Sequence, residues 1–246
     1  MAMVRCAMAV DDERTAVDTL LTMEQELPDD PEVLYIATHF FSELGMRSAQ
    51  RLHQRAPDSY QEERLQAETL QSQGKNEEAA AIYRKVLEKN PKVPGIHYQL
   101  GQIDLAEAGA SGSTDAAKQE FEKEAEIDPS NASAEFVLGE FDRRSGEFTE
   151  AVRHFTRATK LDTGFSEAYL ALGMSLAASG KFAEAKAPLE TYVKMEPDDP
   201  AGHYQLAVAY ARTGNKGGAA REMALRAKTT RARGLVDGSQ GHSVQP

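Results

Sequence analysis

One tetrapeptide occurs twice in the chain, as His97-Tyr98-Gln99-Leu100 and as His203-Tyr204-Gln205-Leu206, and it sets an imidazole beside a phenol. Imidazole is the side chain best suited to proton transfer near neutral pH and to binding a transition metal. A metal needs its ligands in one coordination sphere, yet no two of the histidines (39, 53, 97, 154, 203 and 242) stand four apart on a helix. Ser175 and Ser179, as candidate nucleophiles, have no histidine at helical spacing either. Acidic pairs at Asp29-Asp30 and Asp198-Asp199 are each followed by proline, at Pro31 and Pro200. Aspartate before proline is better explained as a helix N-cap with proline at the first helical position than as a metal ligand. No glycine-rich phosphate loop follows a strand, and no set of nucleophile, base and oxyanion donors emerges. The expectation is no catalytic residue, no metal and no cofactor.

The elements that hold these residues repeat. Residues 166–199, SEAYLALGMSLAASGKFAEAKAPLETYVKMEPDD, form one unit of period 34, with fixed points at Leu172-Gly173, Gly180, Ala185, Leu189 and Pro197. One period downstream stand Leu206-Ala207, Gly214, Ala219 and Met223; one period upstream stand Leu138-Gly139, Gly146, Ala151, Phe155 and Thr163. Ala168, Leu172 and Leu176 share one face of a first helix, and Ala185, Leu189 and Tyr192 form the inward stripe of a second. Gly173 lets a neighbouring helix approach closely, and Gly180 supplies a left-handed cap. Pro197 stops the second helix for want of an amide hydrogen. Neither helix buries its apolar face alone, so hairpins must stack. His97 and His203 then lie three units apart, and at about 10 Å per packed helix layer they cannot share a metal.

This pattern resembles the tetratricopeptide repeat, a helix-turn-helix unit of the same period. Tyr169, Leu172, Gly173, Ala185 and Pro197 match it directly, while Leu176, Leu189 and Tyr192 stand where the family prefers Tyr, a large apolar residue and Ala. The resemblance spans roughly Ala16 to Ala227 and implies an all-α, right-handed α-solenoid. The family often places Trp early in the first helix; this chain has none, and Tyr, His or Glu takes that position.

The expected organisation is a partial N-terminal repeat or cap over 1–30, where Ala16, Leu20, Met23 and Pro28 copy a second helix, and a shortened repeat over 31–59. In the latter, Leu34, Ala37 and Phe41 predict a first helix capped by Gly45, and Ala49 with Leu52 an abbreviated second one. Repeats follow over 60–93, 94–131 with a loop insertion at 109–114, 132–165 and 166–199. The spacing predicts a last repeat or cap over 200–228 and a disordered tail over 229–246, on the strength of Gly234, Gly238, Ser239, Gly241 and Ser243. Thr163 in place of the terminal proline predicts a helix running on slightly, and Pro188 lies inside a second helix.

Net charge is −11, which disfavours nucleic acid as ligand. Residues 1–199 carry 37 acidic and 21 basic side chains and residues 200–246 carry 2 and 7, so an acidic body ends in a basic segment. The one cysteine, Cys6, forms no internal disulfide. No stretch approaches the roughly 18 apolar residues of a membrane span. A cytoplasmic protein is expected, or an exported or periplasmic one if the N-terminus has been cut.

What the resemblance implies for function is a groove lined by first helices. Its nearer row is Tyr98, Phe136, Leu170 and Tyr204; two residues beyond each Leu stand Gln102, Glu140, Met174 and Val208; an outer set adds Leu105, Arg143, Ala177 and Ala211. The subgroup that clamps a C-terminal carboxylate uses Lys, Asn and Arg here, whereas Glu68, Gln102, Glu140 and Met174 occupy the key row, so that activity does not carry over. The expectation is a non-enzymatic scaffold binding protein or peptide partners through apolar anchors, with basic residues meeting the acidic body. Packing of the same aromatics on adjacent helices is the competing explanation. The alternative function is an accessory repeat region of a larger enzyme or of a secretion or assembly machine, and oligomers through terminal repeats are a further option.

Overall fold

The computed structural model describes residues 12–109 and 114–240, with side-chain surroundings through Arg231. Among the described residues all regular structure is helical: α1 (Glu13–Glu26), α2 (Pro31–Arg55), α3 (Tyr60–Ser72), α4 (Asn76–Lys89), α5 (Ile96–Ala108), α6 (Asp115–Ile127), α7 (Ala132–Arg144), α8 (Phe148–Leu161), α9 (Ser166–Ala178), α10 (Phe182–Met195), α11 (Pro200–Arg212) and α12 (Lys216–Gln240). They fall into two compact units, Met1–Glu88 and Lys89–Pro246.

In the first unit, α1 lays Ala16 and Leu20 against Ala37 and Phe40 of α2. Asp30 caps α2, accepting from the Glu32 and Val33 amides at 2.9 and 3.0 Å, with Pro31 in the first turn as its fixed φ favours. The predicted hairpin over 31–59 is a single helix of 25 residues, and Gly45 lies inside it rather than capping it. An interior glycine costs only about 1 kcal/mol relative to alanine. Glu43 and Arg47 close an ion pair of 2.8 Å across it, and residue 45 keeps a helical φ. Register differs too: Val33, Ala37 and Phe40 are buried, while Leu34 and Phe41 face solvent. In α3 and α4, Ala67, Ala79 and Tyr83 are fully buried, and the Tyr83 hydroxyl donates to Gln71 Oε1 at 3.2 Å.

The second unit is a run of hairpins from α5 to α12, each helix packing on the next and first helices also touching across repeats, as α7 with α9 and α9 with α11. Gly74, Gly146, Gly180 and Gly214 follow first helices with φ between 75 and 83°, the left-handed backbone that ends a helix. The Leu-Gly positions have a different cause. A β-carbon on Gly101, Gly139 or Gly173 would stand 2.9, 2.7 or 2.4 Å from Phe121, Phe155 or Leu189 respectively, so second-helix side chains occupy that space. Phe121, Phe155 and Leu189 are fully buried there, each worth about 1.5–3 kcal/mol of burial.

Two expectations at helix ends are corrected. Without a terminal proline α8 still stops at Leu161, because the Asp162 amide closes onto Ala158 and the Asp162 carboxylate accepts from the Gly164 amide at 2.8 Å. Residues 229–240 of the expected tail are helical, as α12 continues to Gln240. Thr229 and Thr230 donate their hydroxyls back to the Leu225 and Arg226 carbonyls, so they satisfy themselves inside the helix. Pro188 sits buried within α10. Residues 1–11 of the predicted N-terminal cap, 110–113 of the predicted loop and 241–246 of the predicted tail lie outside the described residues.

Candidate functional site

The four aromatic or aliphatic residues of the nearer groove row occupy equivalent places on α5, α7, α9 and α11, but not with equal exposure. Tyr98 is half-buried, its ring edge-on to Phe121 of α6 at 5.4 Å, and its hydroxyl accepts from Gln102 Nε2 at 2.8 Å. Phe136 is half-buried between Phe155 and Phe165, at 5.6 and 4.8 Å between centroids. Leu170 packs against the α8–α11 core. Tyr204 is the open member, 42 % exposed, with the Arg226 guanidinium 4.6 Å over its ring. Packing and exposure thus coexist in single side chains: Tyr98, Phe136 and Tyr204 each meet a second-helix residue, Phe121, Phe155 and Arg226, while staying partly accessible.

The flanking row is mixed. Gln102 is exposed but tethered to Tyr98, and Met174 and Val208 are half-buried. Glu140 and Arg143 form a two-bond pair, Nε to Oε1 at 2.9 Å and Nη2 to Oε2 at 2.7 Å. The Glu140 hydrogen bond holds the Arg143 guanidinium above its ordinary range. Of the outer set, Leu105 and Ala177 are half-buried and Ala211 is exposed.

A second set of functional groups was missed by reading motifs. Three residues before Leu100, Leu138 and Leu206 stand His97, Glu135 and His203, with Tyr169 at the same place before Leu172, and the facing second helices present Glu120, His154 and Glu222. Each pair closes: His97 Nδ1 to Glu120 at 2.5 Å, His154 Nδ1 to Glu135 at 2.7 Å, His203 Nδ1 to Glu222 at 2.8 Å. In the hairpin of α7 and α8 acid and imidazole have exchanged helices. His203 also has its Nε2 2.9 Å from the Pro197 carbonyl, so both its ring nitrogens are used. In the first unit Glu63 holds the same register and pairs with Lys85 at 2.9 Å. For Glu120, burial alone would raise the pKa, but hydrogen bonds from Lys123 and His97 outweigh it and hold the carboxyl below its ordinary value.

Glu124, fully buried, binds two helix starts. Its Oε1 accepts from the Gly95 amide at 2.7 Å and its Oε2 from the Tyr98 amide at 3.2 Å, capping α5, whose N-cap Gly95 has no side chain. Asn131, the cap of α7, donates to the same carboxylate at 3.3 Å. A carboxylate on helix N-terminal amides is favoured by the helix dipole.

Among the described residues, no group of three or more His, Cys, Asp or Glu side chains has metal-binding geometry, and no helix is long and apolar enough to cross a membrane. Ser175 is fully buried, and the Ser179 hydroxyl donates to the Ser175 carbonyl.

Comparison with known proteins agrees with this geometry. No curated protein matches the chain. Among solved structures, YrrB, a TPR protein with an unusual peptide-binding site, is similar at 21 % identity and a TM-score of 0.63, over 78 % of this chain and 97 % of that one. MamA is similar at 21 % identity and a TM-score of 0.59, over 69 % of this chain and 96 % of that one. MamA from Desulfovibrio magneticus RS-1, residues 41 to the end, is similar at 17 % identity and a TM-score of 0.58, over 71 % and 97 %. The tetratricopeptide repeat profile matches residues 64–132, 136–185 and 170–234. With helical hairpins, glycine-enabled crossings and this profile over more than half its length, the chain belongs to the tetratricopeptide repeat family.

Proposed function

We propose that the chain is a non-enzymatic scaffold whose first helices α5, α7, α9 and α11 present Tyr98, Phe136, Leu170 and Tyr204 to a peptide or helical segment of a partner protein. The observation that carries this is the row itself: one large side chain per repeat, each packed against the hairpin core or a second-helix residue and each remaining partly accessible. A side chain already fixed on one face loses little rotamer freedom when a partner covers the other. Gln102, the Glu140–Arg143 pair, Met174 and Val208 flank the row and set the polarity around it. Partner segments would carry apolar anchors, with basic residues nearby to meet the acidic body. That YrrB, of similar fold, is a TPR protein with an unusual peptide-binding site supports a peptide as the class of ligand.

The test is affinity capture with the full chain as bait, repeated with Tyr98→Ala, Phe136→Ala and Tyr204→Ala together. Helix content by circular dichroism checks the fold, and Tyr204→Ala alone, at the most exposed site, serves if the triple variant is destabilised. Loss of the captured partner with helix content retained is expected. Unchanged capture by well-folded variants would remove the groove assignment.

A further inference from the structure

One face of α2 is left without the cover that the later hairpins give it. Counting from the capping aspartates, Asp30 of α2 and Asp199 of α11, Thr38 and Phe41 take the places of Ala207 and Tyr210. Both of the latter are buried in α11, whose second helix turns back so that Gly218 stands against the Tyr210 ring. In α2 the chain instead runs straight on through Gly45 to Arg55. Leu34 and Phe41 therefore stay 45 % and 37 % exposed, against 9 % for Tyr210. α1 occupies a different face, that of Ala37 and Phe40.

Leu34, Thr38, Phe41, Gly45, Ser48 and Leu52 follow one another at steps of four and three residues, the spacing of a seam between two helices. The seam is bulky at Leu34, Phe41 and Leu52 and small at Gly45 and Ser48, and nothing lies within 4 Å of a β-carbon placed on Gly45. Thr38 spends its hydroxyl on the Leu34 carbonyl at 2.8 Å, so it brings no unmet donor. Turned about a two-fold axis level with residue 43, the seam is complementary to itself. Leu34 of one helix faces Leu52 of the other, Thr38 faces Ser48, and Phe41 faces Gly45. Phenylalanine over a helical glycine is the contact already used inside the chain, at Gly101 with Phe121 and at Gly139 with Phe155. Glu43 and Arg47, paired at 2.8 Å, lie on the far side of the helix from the seam.

We propose that the chain associates with a second copy of itself through this face, the two α2 helices packing antiparallel. Each then covers on the other what a returning second helix covers in the later hairpins. A single helix pair about 27 Å long is a small interface, so the dimer is reversible and dissociates at about 10 µM. Below that concentration the chain is a monomer with Gly45 open. The groove row of the second unit takes no part, so the two readings stand or fall separately.

Sedimentation of the full chain between about 1 and 300 µM measures the association. Gly45→Gln sets a long side chain where the second copy's Phe41 rests, at a position open in the single chain, and glutamine is the better helix former. It should weaken the dimer at least about tenfold with helix content retained. Met46→Gln removes a more exposed apolar group, 67 % exposed, that lies off the seam, and should leave the dissociation constant within about twofold. On a Cys6→Ser background, Thr38→Cys and Ser48→Cys chains that are mixed and oxidised should cross-link to each other faster than either does to itself. A chain that stays monomeric at about 300 µM would overturn the proposal. So would a dimer that Gly45→Gln leaves intact or that both glutamine variants weaken equally, and so would cross-linking no faster between the two cysteine variants than within each.

Discussion

Substituting alanine for glycine should have opposite effects at Gly139 and Gly45, although both lie inside helices with ordinary backbone angles. At either site alanine gains about 1 kcal/mol of helix propensity. At Gly45 nothing lies within 4 Å of the added carbon, so the gain stands and Gly45→Ala should stabilise by about 0.5–1 kcal/mol. At Gly139 the new carbon would meet Phe155 Cε1, Cδ1 and Cζ at 2.7, 2.8 and 3.0 Å. That ring is fully buried, with Phe136 packed 5.6 Å away between centroids, so it cannot swing clear. Overpacking of this kind costs about 1–3 kcal/mol. Against the propensity gain, the net loss for Gly139→Ala should be up to about 2 kcal/mol. Urea unfolding followed by circular dichroism reads both, and Gly139→Ala with Phe155→Leu completes a double-mutant cycle in which the smaller side chain should recover at least part of the loss. If Gly139→Ala raised the midpoint as Gly45→Ala does, the account of the Leu-Gly positions as sites of close helix approach would be refuted.

Glu124→Ala should cost about 3 kcal/mol, since it strips a buried carboxylate from the Gly95 and Tyr98 amides and from Asn131 at once. Hydrogen exchange should then rise first at the start of α5, and unchanged protection there would count against the capping role. Burial, with the Glu68 carboxylate adding to it, pushes the Tyr83 phenol up to about 12. The folded value exceeds the unfolded value of about 10, so the contribution is fully present below pH about 10 and is lost as pH rises through 12. The tyrosinate absorbance that Tyr83→Phe removes should therefore appear near pH 12, or earlier only with falling helix content; its appearance near pH 10 in a folded chain would contradict this.

The period of 34 was legible because its cause is local and repeated. A second-helix side chain fills the space over Gly101, Gly139 and Gly173, and the backbone turns left-handed at Gly146, Gly180 and Gly214. Gly45 misled because a glycine ends a helix only when the following residues have something to bury, and none of those after Phe40 in α2 is buried. With no apolar stripe to pull the chain back, helix propensity from Met46 onward prevails. Gly234 and Gly238 misled in the same direction, since both lie within α12. The exposure of the row Tyr98, Phe136 and Tyr204 was not legible: how far each is covered depends on the neighbour, Phe121, Phe165 or Arg226, and those come from other segments of the chain.

The acid–imidazole pairs could have been found by aligning the repeats and asking what faces one register position. Scanning for histidine pairs at helical spacing misses them, because each partner is about twenty residues away. Their exchange between repeats carries the further point. His97 faces Glu120 and His203 faces Glu222, whereas Glu135 faces His154 across the same slot, and Glu63 draws Lys85 from one turn further along. If either partner of the pair can come from either helix, the slot is defined by the separation of the two helix axes, and the side chains have adapted to it. Exchanging the pair by Glu135→His with His154→Glu should thus cost less than either single change, each of which sets two like groups against one another. The exchange also moves the carboxylate that Arg157 meets, so a stability close to wild type in the double variant would show that the helix spacing, rather than the Arg157 contact, sets the strength of the pair.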